Sequence, residues 1–395
     1  MRFSIVIPTY NSKQLLNNTL EALNYQLGYG FDDYEVVVSD DGSTDKTFDC
    51  IKNTPRNYSM RYVYLDRCAQ SCRSRTRNEG RKAASGEIIV YLDSDILVRN
   101  DFLSEVNRYF KMNDRFLLLG TRLMLNDPII FDDIKTQKVF DQYAFNPHRY
   151  DILEFRHYLF EQYSYNANAI LFPWMQVYSN IVIAAKKWLD ETGGFDENMK
   201  KWGMEDLELG YSLIQHGLQI AINPRLVGLH QNHGPRNDLI IEKNKEQAYG
   251  ENIDYFIAKH PRALGLRRTI SHKCLRGEIP MHKFDLYFPK KDVYFTYEPG
   301  KNIDELKTEI THYANAEGFS VLVEDFKEDA DLDLWVQSLG KTKSVIRYYP
   351  QSKRLNLKEF EAFLDKERQR QFVRDAAKPA TPSQVSIPGV RSFEC

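Results

Sequence analysis

Residues 74–95 read SRTRNEGRKAASGEIIVYLDSD. A polar segment from Ser74 to Ala84, closed by Gly86, has the character of a helix stopped at a glycine. The apolar run that follows, Glu87 to Leu92, has that of a strand, and it ends on two aspartates, Asp93 and Asp95. Helix, strand and polar strand end in that order are half of a βαβ unit. The other half lies upstream. Arg2 to Ile7 reads as a first strand, Tyr34 to Ser39 (YEVVVS) as a second and Met60 to Leu65 as a third. Between the first two, Leu16, Leu20, Leu23 and Leu27 recur at helical spacing as one buried stripe, with Asn11 or Ser12 as the cap. Strands rich in Val and Ile without clean alternation imply a sheet covered on both faces. The expected fold class is therefore α/β, a Rossmann-like, mainly parallel sheet with helices on both sides.

Downstream, Pro128 to Pro173 is expected to form loops and short helices. Lys186 to Thr192 reads as a helix ended by Gly193 and Gly194, Asp206 to His216 as a helix stopped by Gly217, and residues 219–230 as an edge strand with its proline at a break. Beyond about Lys259 the composition turns basic and the βα rhythm stops, which sets a first domain at residues 1–258. A smaller α/β unit is expected over 259–375, with strands DVYFTYE, SVLVED and SVIRYY around helices. Residues 376–395, rich in Pro, Ser and Ala, are expected to be disordered.

The chain has 395 residues, 42% of them hydrophobic and 27% charged, which excludes a wholly disordered or low-complexity protein. Lys and Arg number 53 against 55 Asp and Glu, so no bulk field points to nucleic acid. Five cysteines, odd in number and without a C-x-x-C pair, read as reduced cytosolic thiols. No apolar run approaches the ~20 residues that span a bilayer. The expected location is the cytoplasm, with peripheral contact at the inner membrane face left open.

Polar clusters collect where the strands end, the edge at which an open parallel sheet binds ligands. The first strand ends in Pro8-Thr9-Tyr10 and the second in Asp40-Asp41-Gly42-Ser43, which on its own is also an ordinary capped turn. Asp93 and Asp95 follow the fourth strand, and short, hard oxygen ligands of this kind suit part of a Mg²⁺ or Mn²⁺ shell. Arg73 and Arg77, four residues apart on the helix, share a face that can brace these carboxylates or meet a diphosphate. Arg81 is expected on the solvated face. Trp202-Gly203-Met204-Glu205-Asp206 places a sugar-sized aromatic platform beside a carboxylate that can accept a proton, although acidic residues also favour a first helical turn for dipole reasons alone. His230 and His233 end the next strand and can complete a metal shell that D-x-D leaves short.

In this order and spacing, IVIPTYN, VVVSDDGSTDKT, SRTRNEGRKAASGEIIVYLDSD and GGFDENMKKWGMEDLELGYSL resemble the GT-A fold glycosyltransferases of family 2. The last block also resembles the WGxED acceptor motif of galactosyltransferase and chondroitin-polymerase types. The resemblance covers roughly residues 1–235. It implies a nucleotide-diphosphate sugar donor, UDP-hexose or UDP-N-acetylhexosamine, with Pro8, Thr9 and Tyr10 lining the nucleotide pocket and Asp41, beside Asp40, bonding the uracil edge. It further implies that Asp93 reaches the ribose or donor sugar and that Asp95 holds Mn²⁺ or Mg²⁺. Asp206 would be the catalytic base of an inverting transferase, since retaining members with a similar block usually carry Asn there, and Glu205 would bind acceptor or donor hydroxyls. Met204 departs from the pattern, in which glycine is common. The implied acceptor is a hydroxyl of a glycan, glycoconjugate or protein, and the C-terminal unit is expected to bind acceptor or mediate self-association as a homo-oligomer. Two competing functions are an inactive glycan- or nucleotide-sugar-binding protein on the same scaffold and a sugar-nucleotide pyrophosphorylase. The second is disfavoured because IPTYNSKQ lacks the Gly-rich loop of that class.

Overall fold

The computed structural model describes residues 1–144, 149, 152–154, 156–170, 172–233, 239–261, 263, 264, 275, 276, 291–316, 319–339, 342 and 345–350. In chain order the first elements are β1 (Phe3–Thr9), α1 (Lys13–Leu23), β2 (Tyr34–Asp40), α2 (Thr47–Ile51), β3 (Ser59–Tyr64), α3 (Arg73–Ala83) and β4 (Ile88–Leu92). There follow β5 (Ile96–Leu97), α4 (Phe102–Met112), β6 (Phe116–Met124), α5 (Phe131–Lys135), α6 (Lys138–Gln142), α7 (Arg156–Gln162), β7 (Ile181–Ala185) and α8 (Lys186–Thr192). Next come α9 (Glu205–Gln215), β8 (Gln219–His230), α10 (Leu239–Lys259), β9 (Lys291–Tyr297), α11 (Ile303–Ala314), β10 (Phe319–Asp325), α12 (Ala330–Ser338) and β11 (Val345–Pro350).

Eight strands form one sheet in the order β3-β2-β1-β4-β7-β6-β8-β5. β1 pairs in parallel with β2 and β4, and β2 with β3, so the carboxyl ends of β1, β2 and β4 share one edge. β7 is antiparallel to β4 and β6, which brings its amino end to that same edge. β6 and β8 are parallel, with a shift of register between Leu119↔Ile222 and Thr121↔Val227 that takes up Pro224, a residue that cannot donate to a ladder.

The β-branched strands bury both faces, as their composition requires. Val6, Val37, Ile89 and Tyr91 pack into one layer with Trp174, Leu209 and Phe256. Their chain neighbours Ile5, Val36, Val38, Ile88 and Val90 pack into the other with Leu16, Leu20 and Tyr109. α1 ends at Leu23, and Leu27 lies beyond it, 60% exposed, so it is not part of the buried stripe expected from its spacing. Asn11 and Ser12 do not cap α1 through their side chains either. Asn11, at φ 49°, accepts instead from Thr44 N at 2.8 Å and so ties the end of β1 to the loop after β2.

The C-terminal unit is a three-stranded parallel sheet, β11-β10-β9, with its own core around Val321, Val323, Ile310 and Val336. It packs on the large sheet through α12. Leu334 enters the main core, and Gln337 accepts from Ile222 N at 2.9 Å and donates to the Tyr109 hydroxyl at 2.9 Å. Leu264 and Leu275 are buried with the core that also holds Trp174 and Phe256. The tail expected to be disordered lies outside the described residues.

Candidate functional site

The ends of β1 and β2 bring together Thr9, Tyr10, Asp40 and Asp41, with Pro8 just before them on β1. Asp40 is fully buried and closes the turn, accepting from Ser43 N at 2.7 Å and from the Tyr62 hydroxyl. The Oδ2 of Asp41 pairs instead with Arg67. The Arg67 guanidinium also stacks on Tyr10, 4.2 Å from the ring centroid. Gly42, at φ +80°, makes this approach feasible, since a Cβ there would stand 2.8 Å from Arg67 Cγ. The strand ends thus set an aromatic face carrying a cation beside a carboxylate, groups that suit a phosphate and a base edge.

After β4 the chain turns through Asp93, Ser94 and Asp95 into the two-residue strand β5, whose Ile96 stands opposite His230 of β8. This register brings the histidines to the acidic turn. His233 Nε2 lies 2.8 Å and His230 Nε2 3.6 Å from Asp95 Oδ2. Burial works to raise the Asp95 carboxyl, but the hydrogen bond from His233 and the charges of both histidines hold it below its ordinary value. Burial holds His230 below the usual imidazole range, against the pull of the Asp95 carboxylate. Asp95 Oδ1 is buried and finds no hydrogen-bond partner among the described residues. A carboxylate oxygen of Asp95 and one ring nitrogen from each of His230 and His233, all within 4.8 Å of one another, fit a divalent cation of the Mn²⁺ type. The turn itself is held firmly. Asp93 N donates to Asn180 O at 3.2 Å, Gln231 N to Asp95 O at 2.9 Å and the Thr19 hydroxyl to Ser94 O at 2.9 Å.

Arg77 links this turn to the acidic helix start. Its guanidinium is buried, 3.0 Å from Asp93 Oδ1 and 3.7 Å from Glu205 Oε1. Burial opposes its charge, and Asp93 and Glu205 more than restore it. Glu205 and Asp206 open α9, directly after Gly203 and Met204, both with positive φ, at 87° and 73°. For Met204 that left-handed backbone costs roughly 1–2 kcal/mol. Its buried side chain is part of the core layer that holds it there. Asp206 accepts from Ser179 N at 3.3 Å and from Leu207 N at 2.9 Å and is only partly exposed. Burial first, and the Glu205 carboxylate second, push its pKa up to about 7 against the pull of Arg77. A carboxylate poised there can take a proton near neutrality.

The structure therefore brings Asp93, Asp95, His230, His233, Arg77, Glu205 and Asp206 to one edge. Arg73, one turn before Arg77, is exposed, and Trp202 is 43% exposed with the Tyr249 ring 5.9 Å away. Arg81 is not on a solvated face. It is buried and holds Asp190 and Gly193 O, because α3 is covered on that side by the loop after α8. Two groups escaped the sequence reading. Arg67 follows β3 without any motif to mark it. Arg156, fully buried, makes a bidentate pair with Glu154 at 2.6 and 2.9 Å and donates to Gln176 O at 2.8 Å, joining the segment before β7 to the core. Its partner lies only two residues away in a stretch without periodicity.

The doubly covered sheet with an acidic turn after β4 is the Rossmann-like GT-A fold. Residues 4–163 match the model of glycosyl transferase family 2, and residues 164–231 match the model described as the N-terminal domain of galactosyltransferase. It is 29% identical over 272 residues to the validoxylamine A glucosyltransferase of Streptomyces hygroscopicus subsp. jinggangensis, covering 66% of this chain and 61% of that protein. It is 28% identical over 263 residues to the chondroitin synthase of Escherichia coli, covering 63% of this chain and 37% of that one. The matched stretch is thus less than two thirds of either relative. Among solved structures, Staphylococcus aureus TarS 1-349 in complex with UDP aligns with a TM-score of 0.49 at 16% identity, covering 80% of this chain and 78% of that one. Among the described residues no helix is long and apolar enough to cross a membrane.

Proposed function

We propose that the chain is a metal-dependent, inverting glycosyltransferase that moves a hexosyl or N-acetylhexosaminyl group from a UDP-sugar to an acceptor hydroxyl of a glycan, glycoconjugate or protein. The observation that carries this reading is Arg77, one guanidinium that touches both the turn bearing a cation-ligand set and the helix start bearing a carboxylate poised near neutrality. The glucosyltransferase name of one relative supports a hexosyl donor.

On this reading Tyr10 and Arg67 stack on the nucleotide, Asp41 bonds the uracil edge, and Pro8, Thr9 and Asp40 shape the pocket floor. Asp93 orients a ribose or sugar hydroxyl while Arg77 holds its carboxylate in place. Asp95, His230 and His233 would hold Mn²⁺ or Mg²⁺, which supplies Lewis-acid stabilisation of the charge that develops on the leaving diphosphate. Trp202 offers its face to the acceptor sugar. Asp206 removes the acceptor proton as the oxygen attacks from the side opposite the leaving group, and this single displacement inverts the anomeric centre. Glu205, held by Arg77, binds a hydroxyl. The C-terminal unit serves acceptor handling or self-association. Free thiols at Cys50, Cys68 and Cys72 support action in the cytoplasm.

A panel of UDP-, GDP- and dTDP-sugars, scored for nucleotide release with and without chelator, tests the reading. Metal-dependent release confined to UDP-sugars is expected. Release from no sugar nucleotide, or release untouched by chelator, would contradict it.

A further inference from the structure

Helix α10 lies along the loop that leads into α9. Tyr249, Asn252, Tyr255 and Lys259 recur at spacings of three, three and four, so they share one face, and all four meet the stretch between Asp196 and Glu208. The Tyr249 ring packs so closely on Gly203 that a Cβ there would stand 2.5 Å from it. Tyr255 donates to Asp196 Oδ2 at 3.0 Å, and Lys259 Nζ donates to Asp196 Oδ2 and Glu208 Oε1, each at 2.7 Å. Asn252 is buried and reaches the backbone itself, its Nδ2 donating to Lys201 O at 3.1 Å and Gly203 O at 2.6 Å.

A primary carboxamide is the short neutral side chain that offers two N–H bonds from one atom, one for each of these carbonyls. Without it both oxygens would lose this donor, and the buried Asn252 position would no longer tie the two carbonyls together. The Gly203 carbonyl belongs to the peptide plane joining the two positive-φ residues, and Met204 O in turn accepts the first helical bond of α9, from Glu208 N at 2.9 Å. Fixing that plane fixes the direction in which α9 starts, and Glu205 and Asp206 are its first two residues.

We propose that Asn252 is a positioning residue for the transfer reaction, holding the Gly203–Met204 corner so that the Asp206 carboxylate is aimed at the acceptor oxygen. The assignment rests on Asp206 being the base. It is tested on the full chain with water as acceptor, by the release of UDP from the best UDP-sugar of the panel, with UDP affinity in Mn²⁺ and melting temperature measured alongside. Asn252→Asp keeps the shape but loses both donors. Its kcat is expected to fall by about ten- to a hundredfold while UDP affinity and the donor KM stay within about twofold. Asn252→Gln, which keeps both donors on a longer arm, recovers part of the rate. The double variant Asn252→Asp/Asp206→Asn is expected to be no slower than Asp206→Asn, because a residue that acts by aiming the base has no effect once the base is gone. A purely structural role would lower the melting temperature and leave kcat per UDP-binding site unchanged, which overturns the proposal, as does a double variant slowed by the product of the single effects. If Asn252→Asp does not fold, Asn252→Ser, able to keep one of the two bonds, carries the same comparisons. An unimpaired Asp206→Asn would remove the base and this proposal together, whereas an unimpaired Asn252 variant beside a crippled Asp206→Asn overturns the proposal alone.

Discussion

His233 Nε2 stands 2.8 Å from Asp95 Oδ2, although 138 residues separate the two in sequence. The pairing of β5 with β8, Ile96 opposite His230, makes the meeting unavoidable, because a strand of only two residues leaves Asp95 at its start and the histidines at the partner's end. Mn²⁺ affinity in the presence of UDP is accordingly expected to drop at least about tenfold in both His233→Ala and Asp95→Ala. Calorimetric titration checks this, and unchanged affinity in either variant would return the pair to a structural role.

Arg67 is expected to contribute to nucleotide binding through its stacking on Tyr10 and its pairing with Asp41. Both contacts are at a half-exposed guanidinium, so the effect is modest. UDP affinity in Arg67→Ala should weaken about two- to tenfold, as for one exposed cation–π contact and one hydrogen bond. Isothermal titration with UDP measures it.

Arg77→Met leaves Asp93 and Glu205 without their shared cation in a buried place. A loss of about 3–5 kcal/mol of stability is expected, seen in denaturant melts. Arg77 also pulls the Asp206 pKa down, so the rise of activity with pH should move to higher pH in whatever fraction of this variant folds.

Gln337 fastens the C-terminal sheet to the main one through Ile222 N and the Tyr109 hydroxyl. Gln337→Leu strands both groups, and unfolding free energy should fall by about 1–3 kcal/mol. UDP affinity should stay unchanged, since neither partner lies at the carboxyl edge of the sheet.

Strands β1 to β4 were legible because each is a β-branched run bounded by a turn, and the acidic turn after β4 was legible because two aspartates interrupt apolar sequence. The short helices between Pro128 and Pro173 agree with the loss of periodicity there. Strand β7, antiparallel between two neighbours, carries no local mark of its direction: Ile181 to Ala185 reads the same either way round. Leu27 was misread because helical spacing continues past the residue at which α1 stops, and Arg81 because a basic helix face looks solvated until the loop after α8 is laid over it. Arg67, Arg156 and Asn252 act through long-range contacts or backbone carbonyls, which leave no periodic trace in sequence.

The pH dependence of UDP release in the unmodified protein and in Asp206→Asn tests the account most directly. With the Asp206 pKa at about 7, raised by burial and by Glu205, activity of the unmodified protein should climb through neutrality as the carboxylate forms. Because the folded-state value lies above the unfolded one, the group favours folding fully at low pH and loses that contribution as pH rises through about 7. Asp206→Asn, uncharged throughout, should then gain stability relative to the unmodified protein in alkaline buffer. Its turnover is predicted to fall by roughly 10² to 10⁴ with UDP affinity nearly constant and the neutral rise abolished. A stable Asp206→Asn protein that still releases UDP at the original rate, with the same rise through pH 7, would contradict the assignment of the base.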